Sequence, residues 1–141
     1  MASFRHTVTV PRPPDEVFPW LFEEDKVPQW TGSLDGYAVQ GTLGPGATIR
    51  QTLEVSGHKV DVEMRLTRYE PPHGAESHFS MSGLDVVTTY ALSPNGGGTE
   101  LTQTLEGNAS GFKARMLVPV VQPRLEKKLT EDLERLRTLL T

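Results

Sequence analysis

Several segments of the chain alternate apolar and polar residues, which is the pattern of a β-strand with one buried face. The clearest segment has an apolar face made of Val60, Val62, Met64 and Leu66. Residues 4–10, 86–92 and 101–105 show the same alternation. Turn signals rich in Gly, Pro and Asn separate the strand-like segments at the spacing of hairpins. This pattern predicts an antiparallel meander.

Two other regions have the spacing of helices. Pro14, Asp15 and Glu16 suit the first turn of a short helix, and residues 24–30 indicate a second one. At the end of the chain, leucines recur every three or four residues, at Leu125, Leu129, Leu133, Leu136 and Leu140. Pro119 and Pro123 are expected to kink or split an earlier helical stretch that begins near Phe112. The predicted order is a strand, two short helices, about six strands and one long helix.

Composition sets limits on the function. The 141 residues suit a single domain spanning 1–141, and 36 % of them are hydrophobic, which is lean for a solid core. The chain has no cysteine, so disulfides, thiolate metal sites and a cysteine nucleophile are excluded. The net charge of −4 argues against binding to nucleic acid. Neither a signal peptide nor a membrane-spanning segment is evident, so we expect a cytoplasmic protein.

Three parts of the sequence resemble a known family. The residues VTVPRPPDEVFPWL at 8–21, Trp30 and EDLERL at 131–136 are similar to the START-related ligand-pocket (SRPBCC) superfamily, in its polyketide cyclase/dehydrase-like branch. The resemblance implies an α+β helix-grip fold. In that fold a curved antiparallel sheet of about seven strands wraps a long C-terminal helix, with two short helices after the first strand. The family includes aromatases and cyclases, lipid carriers, ligand binders and co-chaperone domains, so the fold leaves the function open.

Strand alternation also predicts which residues face the space between sheet and helix. If Met64 points inward, the matching positions on neighbouring strands place polar groups on an apolar face. Phe79 and Met81 share the inner face of their strand, and Phe112 and Met116 are expected at the mouth. The predicted ligand-binding residues are Gln51, Met64, Phe79, Met81, Thr88, Tyr90, Gln103, Phe112 and Met116.

Candidate catalytic chemistry is limited. No G-x-S-x-G, H-E-x-x-H or phosphate-loop motif occurs. The four histidines form no pair four residues apart, so neither a metal nor another cofactor is predicted. The resemblance implies an interior Arg or Tyr in an aromatase, and Tyr90 is the residue here that matches the inward pattern. Arg50, Arg65 and Arg68 fall on the outer face.

Three functions follow as hypotheses. The first is binding of a small hydrophobic or aromatic ligand in a cavity between the sheet and the C-terminal helix. The second is a polyketide cyclase or dehydratase that uses Tyr90. The third is a co-chaperone-like domain that contacts a partner protein. The expected partner is a small hydrophobic molecule, without nucleic acid or a membrane span, and the expected assembly is a monomer or a homodimer.

Overall fold

The computed structural model of the chain describes residues 3–32, 34–55, 57–81 and 83–141, without the side chains of Val55 and Met81. These residues form seven strands in one antiparallel sheet. Their bounds are β1 Ser3–Val10, β2 Leu34–Gln40, β3 Thr48–Val55, β4 His58–Glu70, β5 Gly74–Met81, β6 Leu84–Asn95 and β7 Gly98–Ala109. The order across the sheet is β1-β7-β6-β5-β4-β3-β2. The predicted meander and the α+β fold class are confirmed.

Short helices connect the two edges of the sheet. β1 and β2 follow each other along the chain but lie at opposite edges. The segment between them contains α1 (Pro14–Val17), a 3₁₀ helix (Phe18–Leu21) and α2 (Val27–Trp30). A proline occupies the first or second position of each of these helices, where its missing N–H is not needed. This crossing segment closes one end of the sheet's inner face.

The long helix α3 spans Gly111–Leu140, thirty residues without a break. The expectation that Pro119 or Pro123 would split it is therefore wrong. The two prolines are four residues apart on one exposed face of the helix. The carbonyls that lose a partner there lie on the solvent side, where water can satisfy them, so the helix continues.

The core lies between the inner face of the sheet and the second half of α3. Leu133 and Leu136 are fully buried there, and Leu129 and Leu140 nearly so. They pack with inward residues of the strands, such as Ile49, Leu66 and Leu101. In β4 the register with β5 shifts between Leu66 and Arg68, an irregularity of the kind that bends a strand. Because Leu129, Leu133, Leu136 and Leu140 are buried against the sheet, the leucine spacing predicted the correct face of the helix.

None of the helices in the described ranges combines the length and apolar character that a membrane crossing requires.

A glycine at the start of β5 allows a close approach of two strands. A Cβ at Gly74 would lie 2.6 Å from the backbone carbonyl oxygen of Tyr90. We expect Gly74→Ala to lower the free energy of unfolding by about 1–3 kcal/mol, because a backbone atom cannot move aside as a side chain can. Chemical denaturation measures the change.

Gly44 provides the matched control, since a Cβ there meets nothing within 4 Å. Gly44→Ala is expected to change the same free energy by no more than about 0.5 kcal/mol. Equal effects of the two substitutions would contradict the close packing of β5 on β6.

Candidate ligand-binding site

A cavity of about 140 Å³ lies between the inner face of the sheet and α3. Strands β2 to β7, the 3₁₀ helix, α2 and α3 all contribute to its wall. The wall is largely apolar. Its lining residues are Leu21, Phe22, Val27, Trp30, Thr31, Tyr37, Gln51, Leu53, Met64, Ser77, Phe79, Thr88, Tyr90, Gln103, Leu105, Leu125, Lys128, Leu129 and Asp132.

The cavity has the size of a small ring. An engineered apolar cavity of about 150 Å³ in another protein holds benzene. A ligand with one ring therefore fits the present volume, whereas pockets for drug-sized molecules start at about 300 Å³.

A second concavity, of about 420 Å³, runs along β2, β3 and β4 near one edge of the sheet. Its larger volume does not make it the better candidate, because its wall includes the exposed charged residues Arg50, Asp61 and Glu63. These side chains already pair with one another: Thr52 donates to Asp61 at 2.7 Å, and Arg50 lies 3.7 Å from Glu63. The inner cavity suits an apolar ligand better, because its wall is largely apolar and lies against the core.

Polar groups interrupt the apolar wall on the inner face of β5, β6 and β7. Gln103 Nε2 donates to the hydroxyl oxygen of Tyr90 at 3.1 Å, and both side chains are buried. Ser77 lies directly opposite Thr88 in the strand pairing. Ser77 Oγ is buried without a hydrogen-bond partner among the described residues. The site thus combines one satisfied polar pair with one unsatisfied hydroxyl.

Aromatic packing holds Tyr90 in place. The rings of Phe22 and Tyr90 meet edge to face, with centroids 5.6 Å apart. Phe18 and Phe22 both pack against Tyr69. Because Tyr90 is fixed by Phe22 on one side and Gln103 on the other, its hydroxyl is preorganised within the cavity.

Burial raises the pKa of Tyr90, and the negative charge of Asp132 raises it further. Burial also raises the pKa of Tyr37, whose hydroxyl donates to the backbone carbonyl of Phe22 at 2.6 Å. Tyr90 is therefore a neutral phenol at physiological pH. It can donate a hydrogen bond or a proton, but it cannot serve as a base.

Asp132 connects α3 to the loop after α2 at the edge of the cavity. Asp132 is 6 % exposed, and its carboxylate accepts hydrogen bonds from the backbone N–H of Gly32 at 2.9 Å, from Lys128 at 2.5 Å and from Arg135 at 3.1 Å. Arg135 also donates to the carbonyl of Trp30 at 2.8 Å. These bonds fasten the helix to the wall that Trp30 forms.

Residues 111–124 of α3 do not line the cavity. Phe112 is 77 % exposed and Met116 is 62 % exposed, and neither lines the cavity. The structure thus places these two predicted binding residues in solvent, because the helix contacts the sheet mainly through its second half. The side chain of Met81 lies outside the described residues. The remaining predicted residues, Gln51, Met64, Phe79, Thr88, Tyr90 and Gln103, all line the cavity.

Sequence reasoning missed several lining residues. Ser77 follows the same alternation as Phe79, so the parity of the strand could have found it. Asp132 and Lys128 lie four residues apart on α3 and sit beside the leucine stripe. Their role needs the position of Gly32, a hundred residues away along the chain, which no local pattern reveals.

Within the described ranges, no group of three or more His, Asp or Glu side chains is placed so that it could hold a metal ion.

The three tyrosines of the chain give a spectroscopic test of this burial. Burial raises the pKa of Tyr37, Tyr69 and Tyr90 in the folded state. In the unfolded state they ionise near the ordinary value of about 10. We therefore expect the phenolate absorbance of the folded protein to appear only above pH 10. Their contribution to stability is fully present below that pH and is lost as pH rises further, since unfolding then releases protons.

The control for the titration is the same protein in denaturant, where all three tyrosines should titrate together. Ionisation of Tyr37 or Tyr90, which both line the cavity, at the ordinary tyrosine pKa in the folded protein would contradict their burial.

The geometry of the sheet, cavity and helix agrees with the comparison with protein families. The family described as "Polyketide cyclase / dehydrase and lipid transport" matches residues 1–141. The chain belongs to this family. Among curated proteins, no sequence matches the chain.

Solved structures share the fold at low sequence identity. The protein TTHA0849 from Thermus thermophilus superposes with a TM-score of 0.80 at 16 % identity, over 97 % of this chain and 95 % of that one. The di-domain ARO/CYC StfQ from the steffimycin biosynthetic pathway gives 0.81 at 11 % identity, over 98 % of this chain and 50 % of its own. The Aha1 dimer from Colwellia psychrerythraea gives 0.71 at 14 %, over 99 % and 96 %. These likenesses concern the fold alone.

Proposed function

We propose that residues 1–141 act as one ligand-binding domain, which holds a small hydrophobic or aromatic molecule between the sheet and α3. The observation that supports this most is the cavity of about 140 Å³ between the sheet and α3, with a mostly apolar wall and a few polar groups at defined positions. This is the usual composition of a small-molecule site. The family to which the chain belongs, described by cyclase chemistry and lipid transport, is consistent with the proposal.

The arrangement of the wall explains how such a ligand would be held. Leucines from the 3₁₀ helix, the sheet and α3 surround the space on several sides, among them Leu21, Leu105 and Leu129. Burying the apolar surface of a ligand against these leucines contributes about 25 cal/mol per Å² to the free energy of binding. Asp132 keeps the loop at Gly32 against the helix, so the wall is largely formed before the ligand arrives.

Native mass spectrometry of freshly purified protein tests the proposal. We expect a retained small molecule, or a one-to-one complex after addition of a one-ring probe such as toluene. The variant Leu139→Ala serves as a control, because Leu139 is 42 % exposed on the outside of α3 and does not line the cavity. Protein that carries no ligand and takes up no ring-sized probe would contradict the proposal.

The second candidate is acid–base chemistry of the cyclase type, and the state of Tyr90 favours it. A neutral, fixed phenol beside an apolar space can donate to a ketone oxygen and so make the neighbouring carbon more acidic. Gln103 Nε2 donates a hydrogen bond to the phenol oxygen at 3.1 Å, so the phenol proton points away from the amide. In this mechanism Tyr90 donates its proton to the carbonyl oxygen, and a solvent water molecule takes the proton from the neighbouring carbon.

Hydrogen–deuterium exchange at the carbon next to the carbonyl of cyclohexanone tests the second candidate. We expect the protein in D₂O to accelerate this exchange and Tyr90→Phe to lose most of the acceleration. No acceleration by the wild-type protein, at a concentration where the ketone is bound, would overturn the catalytic function while leaving the binding proposal in place.

A further inference from the structure

Two neighbouring strands contribute three hydroxyl groups to the wall of the cavity. Ser77 of β5, together with Thr88 and Tyr90 of β6, lies on the inner face of the sheet and lines the cavity. Directly opposed residues on the same face of an antiparallel pair have Cβ atoms about 4.5–5.5 Å apart. Ser77 and Thr88 are such a pair. We refer to Ser77, Thr88 and Tyr90 as the hydroxyl cluster.

The hydroxyl cluster has unused hydrogen-bond donors. Ser77 is 1 % exposed, and its Oγ has no partner among the described residues. Tyr90 accepts a hydrogen bond from Gln103, so its own hydroxyl proton remains available. Leaving a buried donor without a partner destabilises the folded state, and most buried polar groups are hydrogen-bonded. A ligand acceptor would remove this destabilisation.

The charges around the hydroxyl cluster disfavour an anionic ligand. Asp132 is 6 % exposed, and its negative charge contributes to the raised pKa of Tyr90, so its field reaches the cluster. Among the described lining residues Lys128 is the one cation, and Asp132 already binds it at 2.5 Å. A carboxylate in the cavity would lose its hydration without gaining a free positive partner.

From these contacts we infer that the cavity selects a one-ring ligand with a single uncharged oxygen acceptor, such as a cyclic ketone, whose oxygen accepts from Ser77 and Tyr90. The inference rests on the proposed function, since it specifies the ligand of the same cavity. Ser77 is then a binding residue, and the apolar remainder of the ring contacts Phe79, Leu105 and Leu129.

A matched set of probes tests the inference. Cyclohexanone and methylenecyclohexane have nearly the same shape, but only the ketone has an oxygen acceptor, and cyclohexanecarboxylate adds a charge. Dissociation constants are measured by NMR titration for the wild type, Ser77→Ala and Tyr90→Phe. Ser93→Ala is the control, because Ser93 is exposed on the same sheet.

We expect Ser77→Ala and Tyr90→Phe each to weaken cyclohexanone binding about two- to tenfold, the usual effect of one lost hydrogen bond. Binding of methylenecyclohexane should stay within about twofold, because no bond is lost. Ser77→Ala should fold at least as stably as the wild type, since it removes a buried hydroxyl that has no partner among the described residues. Ser93→Ala should match the wild type for both probes.

Failure of this inference and failure of the proposed function give different results. Suppose that both neutral rings bind to the wild type, but neither Ser77→Ala nor Tyr90→Phe weakens cyclohexanone binding more than methylenecyclohexane binding. The ligand-class inference is then overturned, and the cavity remains a binding site. Tighter binding of the carboxylate than of the ketone overturns it as well. If neither neutral ring binds to the wild type, the proposed function itself fails.

Discussion

Replacing Leu133 by alanine is expected to lower the free energy of unfolding by about 2–5 kcal/mol. Leu133 is fully buried in the middle of the leucine stripe of α3 and belongs to the core cluster under the sheet. Its removal loses apolar burial and leaves a void beneath the long helix that covers the inner face of the sheet. Denaturant unfolding, followed by circular dichroism, measures the loss.

Leu139 on the same helix is the control for Leu133. It is 42 % exposed, so Leu139→Ala makes the same chemical change without opening the core. We expect its effect to stay within about 0.5 kcal/mol. If the two substitutions cost the same, α3 does not pack on the sheet in the way described.

Filling the cavity should weaken ligand binding strongly. Leu129 lines the cavity from α3 and is 7 % exposed. In Leu129→Trp the added ring occupies much of the 140 Å³. We therefore expect toluene to bind at least about tenfold more weakly, a loss of about 1.4 kcal/mol or more. Isothermal titration calorimetry measures the affinity.

Leu139→Trp introduces the same side chain outside the cavity and should leave the affinity unchanged. Circular dichroism must show that both variants keep the fold, because overpacking costs about 1–3 kcal/mol of stability. A folded Leu129→Trp protein that binds toluene as tightly as the wild type would show that the ligand sits elsewhere.

Strand alternation predicted much of the inner wall because the pleat of a strand turns successive side chains to opposite faces. Once Met64 was placed inward, Gln51, Thr88, Tyr90 and Gln103 followed, and all of them line the cavity. The leucine spacing likewise placed Leu129, Leu133 and Leu136 toward the sheet. Regular elements with one buried face carry this information locally.

The mouth of the cavity was less predictable, because it depends on how two distant elements dock. The spacing of Phe112 and Met116 is helical, but it does not reveal that the first turns of α3 leave both side chains exposed. The effect of Pro119 and Pro123 depended on whether their helix face met solvent or protein. The bond from Gly32 to Asp132 also joins positions that only the tertiary fold brings together.

Methyl NMR during a toluene titration is the most direct test of whether a small hydrophobic ligand occupies the inner cavity. We expect saturable shifts for the methyl groups that line the cavity, among them those of Leu105, Leu129 and Met64. The signals of the exposed Val120 and Leu139 should stay in place. Saturable shifts confined to the exposed groups, or no shift at any probe concentration that leaves the protein folded, would contradict binding in this cavity.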